Sequence, residues 1–362
     1  MLDAAGNIPK KLNNAELKWR AQVDSGELQN RFDELQHRRN LPLKEKIELS
    51  IERVREWHEA WDSKVAVSYS GGKDSQVLLW IVRKIYPDIP AVFCNTGLEY
   101  PEIYQQIKST KNVITMRPKM PFHKVIEKHG YPLVSKKVAR GVSVLRNPTG
   151  KNQNIWRLYN EGINRFGQKV NGFKVPNRWK FLVDAPFKTS DKCCEIMKKE
   201  PMHRFEKQTG MVQYIGTLAE DSKNREKVYL QHGCNAFDTK TPRSTPIGFW
   251  TEQDVLQCIK MNNIPIAAVY GDIIQNHNTG KLSCTGVKRT GCVFCAFGLH
   301  MEGNPNRFQR MHDTHPKLWK YCMENLNLKS IFDYMRDHCP DRNIIKCFRT
   351  EPVRELQQLE LF

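Results

Sequence analysis

The chain has 362 residues, enough to bury a sizeable core, so scaffolds that depend on disulfides for want of a core are excluded. Apolar residues make up 40% and charged residues 27%, a balance that fits a soluble globular protein better than a disordered or membrane one, and no apolar run approaches the roughly 18 to 20 residues of a bilayer-spanning helix. The 57 Lys and Arg against 39 Asp and Glu leave a formal charge of +18, which points to a polyanionic partner.

Met1-Leu2-Asp3 lacks the charged-then-apolar order of a signal peptide, so the expected compartment is the cytoplasm, with no membrane partner. Eleven cysteines, an odd number in such a chain, argue against a disulfide framework and turn attention to metal or redox chemistry.

Residues 1–62 read as a helical lead-in. Within it Ile47, Ile51, Val54, Trp57, Ala60 and Trp61 fall close to helical spacing after Pro42. Lys64 to Tyr69 is a β-branched run and predicts a strand; a glycine turn and a helix over Asp74 to Tyr86 follow. Ala91 to Cys94 and Val113 to Met116 predict two more strands with a helix, Glu102 to Thr110, between them, and Val212 to Gly216 predicts a fourth. Repeated βαβ units imply an α/β fold with a parallel, doubly wound sheet.

Between the third and fourth strands the composition changes. Arg117 to Lys192 carries 17 Lys and Arg against 4 Asp and Glu, interleaved with Phe122, Tyr131, Trp156, Tyr159 and further aromatics. This stretch is expected to be a loop-rich insertion in a domain spanning 63–295, and residues 296–362 a helical C-terminal region. Its cations suit nucleic-acid phosphates and its rings suit unpaired bases; the alternative is a solvated basic face over a small aromatic core. His300, His312 and His315 are expected to be structural.

Ser70-Gly71-Gly72-Lys73-Asp74-Ser75 sits where a strand hands over to a helix, so backbone N–H groups and the positive helix end can converge on phosphate oxygens. The spacing is neither that of the Walker-type loop nor that of the dinucleotide glycine pattern. It resembles the S-G-G-x-D-S pyrophosphate loop of ATP pyrophosphatases, which cut ATP between the α and β phosphates. Over about residues 60–300 the chain resembles the phosphoadenosine phosphosulfate reductase family. Asn95 to Glu102 resembles that family's D-T-G-x-x-x-P-E segment, with Asn95 for the Asp. Gly216 to Arg225 resembles G-x-R-x-x-x-S-x-x-R, with Leu218 for the first Arg, and Trp250 to Val255 resembles a further family element.

The resemblance implies an adenine nucleotide α-hydrolase-like fold that binds ATP at the carboxyl ends of its strands. Ser70, Gly71, Gly72, Lys73, Asp74 and Ser75 would hold its phosphates, Mg²⁺ would offset charge on departing pyrophosphate with Asp74 as a ligand, and Arg225 would grip a phosphate or remain a surface arginine. Cys193-Cys194 and Cys292-Val-Phe-Cys295 resemble the [4Fe-4S] form of the family. Zinc and separate structural cysteines are the alternatives, although adjacent ligands fit two irons of a cubane with less strain than two vertices of one tetrahedron. Lys198, Lys199, Lys288 and Arg289 would offset cluster charge, and Cys234 and Cys284 are spare thiols.

Reductases acting on adenylyl sulfate alter the loop and carry a terminal cysteine before Gly-Leu-His. Here the loop is intact and Phe297 precedes Gly298-Leu-His300. The leading expectation is therefore an ATP pyrophosphatase activating nucleic acid, DNA ahead of RNA, for sulfur insertion. It is similar to the enzymes of DNA phosphorothioation systems of the Dnd and Ssp type, with a cysteine desulfurase as sulfur source. A sulfonucleotide reductase producing sulfite is the second expectation, and a non-catalytic nucleic-acid-binding component of a defence complex the third.

Overall fold

The structure, a computed structural model, describes residues 26–350. The parts of the expected terminal regions before 26 and after 350 lie outside the described residues. Within them the chain divides into two compact units, one of residues 26–95, 99–117 and 201–290, the other of 96–98, 118–200 and 291–350.

The first unit opens with helices α1 (Glu27–Asn40) and α2 (Leu43–Ala60). Strand β1 (Val65–Ser68) leads into α3 (Lys73–Ile85), β2 (Ala91–Cys94), α4 (Pro101–Ser109) and β3 (Val113–Met116). Strand β4 (Val212–Ile215), helix α5 (Lys223–His232), the short strands β5 (Asn235–Ala236) and β6 (Arg243–Ser244) and helix α6 (Glu252–Asn262) follow. A hairpin of β7 (Ile273–Gln275) and β8 (Leu282–Cys284) ends the set.

Six strands form one sheet in the order β3-β2-β1-β4-β6-β5, parallel except for the antiparallel pair β5–β6 at its edge. Val65 pairs with Val212 and Val67 with both Tyr214 and Ala91, so β1 is central. Val65, Ala66, Val67, Ala91, Val92 and Phe93 are buried, as central parallel strands covered on both faces require. The predicted βαβ order holds to within a residue at each strand. The edge pair β5–β6 is an addition to it: each strand is two residues long, too short for a periodic signal.

The chain folds from β1 outward to β2 and β3, then returns to place β4 on the other side of β1. Neighbouring connections therefore leave β1 and β4 in opposite directions, which opens a crevice at their carboxyl ends, the usual seat of a ligand in such sheets. Helix α2 is part of this unit's core. Trp57 and Val54 are fully buried, Ser50 Oγ accepts a hydrogen bond from Trp250 Nε1 at 3.0 Å, and Lys46 Nζ lies 2.7 Å from Asp254 Oδ2.

In the second unit Leu133 and Val134 pair in parallel with Ala296 and Phe297. Helices Lys136–Arg146, Gln153–Glu161 and, later, Arg307–Thr314 and Leu328–His338 surround them. Trp179 packs edge-on to Phe348, Phe187 edge-on to Tyr334, and Tyr131 and Phe122 against Phe294. The stretch 118–200 and the C-terminal helices thus share one aromatic core. This partition differs from the linear one drawn from composition, because ring-to-ring burial joins segments about a hundred residues apart. Among the described residues no helix is long and apolar enough to cross a membrane.

Candidate nucleotide site and thiol cluster

Strand β1 delivers the chain to Ser70, and Gly71 turns it with φ +71°, a left-handed value that favours glycine. A Cβ on Gly71 would stand 2.9 Å from Ile103 Cγ2. Gly72 then caps α3 with extended backbone, and the helix starts at Lys73. Two serines brace the turn: Ser75 Oγ donates to Gly72 O at 2.9 Å, Ser70 N donates to Ser75 Oγ at 3.2 Å, and Gly72 N donates to Ser70 Oγ at 3.3 Å. At the end of β4 a Cβ on Gly216 would meet Ser75 N and Cα at 3.1 Å, so only glycine lets the second strand approach so closely.

Lys73 is 5% exposed, with Nζ 3.0 Å from Asp74 Oδ1 and 3.3 Å from Glu252 Oε1. Burial pulls its ammonium pKa down, but Asp74 and Glu252 outweigh that and raise it, so the charge is held. Burial lifts the Asp74 carboxyl above its ordinary value, against the pull of Lys73, and the nearby Asp221 charge lifts it further. Lys73 N donates to Tyr270 OH at 3.1 Å, and that hydroxyl lies 2.7 Å from Thr290 Oγ1.

Arg225, the predicted phosphate ligand, is paired to Asp221, whose other oxygen lies 2.8 Å from Arg289 Nη2. One carboxylate thus orders two guanidiniums, and both Asp221 and Arg289 act electrostatically on Asp74. This corrects the assignment of Arg289 to cluster charge: its ion partner belongs to the nucleotide unit. Sequence reading also missed Tyr270 and Thr290, and it singled out the segment that holds Glu252 without giving that carboxylate a role. No spacing signals them, because they reach the loop from some 180 to 220 residues along the chain.

In the second unit Cys193 and Cys194 end a short helix, Lys192–Cys194, that runs into a π-helical turn, Glu195–Lys199. Ser190 Oγ accepts from Lys192 N at 3.3 Å and fixes the entry. Cys295 N donates to Cys292 O at 2.9 Å, and Arg307 Nη1 holds Cys295 O at 3.0 Å. The four thiols act on one another. The free Cys193 thiol, hydrogen-bonded to Cys194, buried and near Cys292 and Cys295, is pushed up, while Cys194 is pulled down by the hydrogen bond from Cys193 and by Lys136 and Lys198. Burial raises Cys295 to about 11.

Lys198, and Lys136, which was not foreseen, both pull the Cys194 thiol down. Among the described residues no set of three or more Cys, His, Asp and Glu side chains is placed to hold a metal ion. The four predicted ligands are gathered in one unit but not closed into a coordination sphere. As a donor set they fit a soft metal cluster: all four are thiols, two cations sit beside Cys194, and the buried Thr189 Oγ1, four residues before Cys193, has no hydrogen-bond partner.

Cys234 is no spare ligand; it is buried in the sheet unit's core, 3.6 Å from Tyr229 OH. Cys284 lies in the nucleotide unit, half-buried, within the fields of Lys73, Glu252 and Asp74. The histidines are packing groups, His300 against Trp179 and His312 against Trp319.

A parallel sheet with a braced glycine turn at its switch point defines a nucleotide-binding α/β protein. The phosphoadenosine phosphosulfate reductase domain matches residues 64–137 and 155–296, and the chain belongs to that family. An uncharacterized protein of Methanocaldococcus jannaschii is 25% identical over 297 residues, 80% of this chain; the chain spans 55% of that relative's length. Sulfate adenylyltransferase subunit 2 of Pseudomonas fluorescens is 26% identical over 261 residues, 68% of this chain and 72% of that one. The phosphoadenylyl-sulfate reductase of Candida auris, solved as a phosphate complex, aligns with TM-score 0.35 and 15% identity over 66% of this chain and 93% of that one.

Proposed function

We propose that the protein is an enzyme acting on adenylyl nucleotides, an ATP pyrophosphatase that adenylylates a nucleic-acid acceptor, DNA in the first instance, for sulfur insertion. The observation that carries this reading is the complete Ser70–Ser75 turn with a buried, charged Lys73 at its centre. The sulfate adenylyltransferase relative supports adenylyl chemistry by its name.

The first turn of α3 and Lys73 bind the triphosphate, and Arg225 and Arg289, ordered by Asp221, lie within reach of its charge. An acceptor oxygen attacks the α-phosphorus, the bond to the β-phosphate oxygen breaks, and pyrophosphate leaves. A sulfur nucleophile then displaces AMP from the activated acceptor. Asp74 would hold Mg²⁺, which neutralises charge on the departing pyrophosphate. Cys193, Cys194, Cys292 and Cys295 would hold an iron–sulfur cluster, which supplies one-electron or sulfur-binding chemistry. A cysteine desulfurase is the proposed sulfur source: its persulfide sulfur attacks, AMP leaves, and a second thiol cleaves the S–S bond, being oxidised to a disulfide as the thiolated acceptor is released.

The test is release of AMP and pyrophosphate from ATP by anaerobically prepared protein supplied with sulfide, with and without DNA. Formation of both products in equal amounts, stimulated by DNA, is expected; no release under either condition overturns the reading.

A further inference from the structure

Nine aromatic residues lie between Arg117 and Lys192, and most are used in the aromatic core of their own unit. Phe166 is 42% exposed and Phe173 is 40% exposed. They belong to one hairpin. Val170 N donates to Gly162 O at 2.7 Å and Asn164 N to Gln168 O at 2.9 Å, which aligns the two arms, while Val175 N donates to Tyr159 O at 2.8 Å and anchors the return. At the tip Asn164 Oδ1 accepts from both Phe166 N at 2.9 Å and Gln168 N at 3.0 Å. Phe166 is therefore presented on a pinned turn, so little further conformational freedom is lost on binding.

Each exposed ring carries a cation: Arg165 lies 4.6 Å from the Phe166 centroid and Lys137 lies 4.7 Å from that of Phe173. Between Glu161 and Asp184 the sequence has no acidic residue, and Arg165, Lys169, Lys174, Arg178 and Lys180 fall in that interval. Arg178 is paired with Asp341 at 3.4 Å. Exposed rings cost hydration, and the remaining cations repel one another; a single ligand with flat apolar faces and regularly spaced negative charge relieves both.

We infer that the hairpin of residues 162–175 is a binding platform for single-stranded nucleic acid, with Phe166 and Phe173 stacking on unpaired bases and Arg165, Lys169 and Lys174 tracking the phosphates. Stacking of this kind needs bases out of a duplex and is tolerant of sequence. The inference rests on the nucleic-acid acceptor proposed above and assigns the residues that receive it.

The experiment is fluorescence anisotropy at low salt with a labelled oligothymidylate long enough to fill a site of about 16 nucleotides. A blunt duplex of equal length and anionic phosphatidylglycerol vesicles are competitors. Phe166→Ala and Phe173→Ala should each weaken oligothymidylate binding about tenfold, with Phe166→Tyr restoring it. Circular dichroism and the rate of pyrophosphate release from ATP alone should stay at wild-type values. Arg165→Ala and Lys169→Ala should each lower the slope of log affinity against log salt by about 0.7.

Unchanged affinity in the double phenylalanine variant, while wild type binds, overturns the platform but leaves the acceptor reading standing. Absence of binding by wild type overturns both. Equal or tighter binding of duplex, or of vesicles with the same variants affected, overturns the single-strand assignment.

Discussion

Gly71 shows how one backbone angle shapes the site. Its φ of +71° and the 2.9 Å approach of Ile103 leave no room for a side chain. Gly71→Ala should therefore destabilise the fold by about 1–2 kcal/mol, measured as a lower midpoint in urea at unchanged slope. Lys73 lies two residues on, buried beside Asp74 and Glu252, and is the group proposed above to meet the triphosphate. Lys73→Ala should lower turnover by about 10²–10³ while leaving the far-ultraviolet spectrum intact. Arg289 was not legible as a nucleotide residue, since its neighbours in sequence are Lys288 and the Thr290-Gly291-Cys292 run. Its ion pair with Asp221 is a tertiary fact. Arg289→Ala should raise KM for ATP about tenfold and Arg289→Lys should recover part of that loss, because a point charge replaces the planar fork.

Among elements, α2 and α6 are joined by Lys46 and Asp254. Lys46 is 2% exposed, bonds Asp254 Oδ2 and Arg39 O at 2.7 Å each, and the same carboxylate accepts from Thr251 N and Oγ1 to cap α6. Removing one partner strands a buried charge, so Lys46→Met should cost about 3–5 kcal/mol. Lys46→Met combined with Asp254→Asn should cost less than the two single changes together, a coupling that a double-mutant cycle in urea reads directly. The start of α2 was legible, because Pro42 precedes it; the reciprocal cap of Thr251 and Asp254 that starts α6 was not drawn from the sequence. That Lys46 would be a core residue was not legible. A lysine among Glu45, Glu48 and Glu52 reads as a solvated face until the partner helix is in place.

For the whole molecule, the linear boundaries at 62 and 295 do not separate the compact units. Residues 118–200 and 291–350 cohere through Trp179, Phe348, Phe187 and Tyr334, so they should lose protection together. Trp179 is 1% exposed, and Trp179→Ala should cost about 3–5 kcal/mol. Hydrogen exchange should then rise in both segments while the β1 and β2 amides stay protected; loss confined to one segment would contradict a shared core.

By itself the sequence determined what depends on neighbours along the chain. The strands of the central sheet followed from β-branched runs, the phosphate turn from its glycines and flanking elements, and the local excess of positive charge from simple counting. Tertiary structure alone decided the rest: which carboxylate pairs with Arg225 and Arg289, that Tyr270 and Thr290 close on the loop, that most insertion aromatics are core, and that Phe166 and Phe173 are not. Hydrogen bonds and ion pairs act over a few ångströms regardless of separation in sequence, and burial is a property of the assembled surface. Pairings between residues distant in sequence leave no periodicity that a reader of the chain can find.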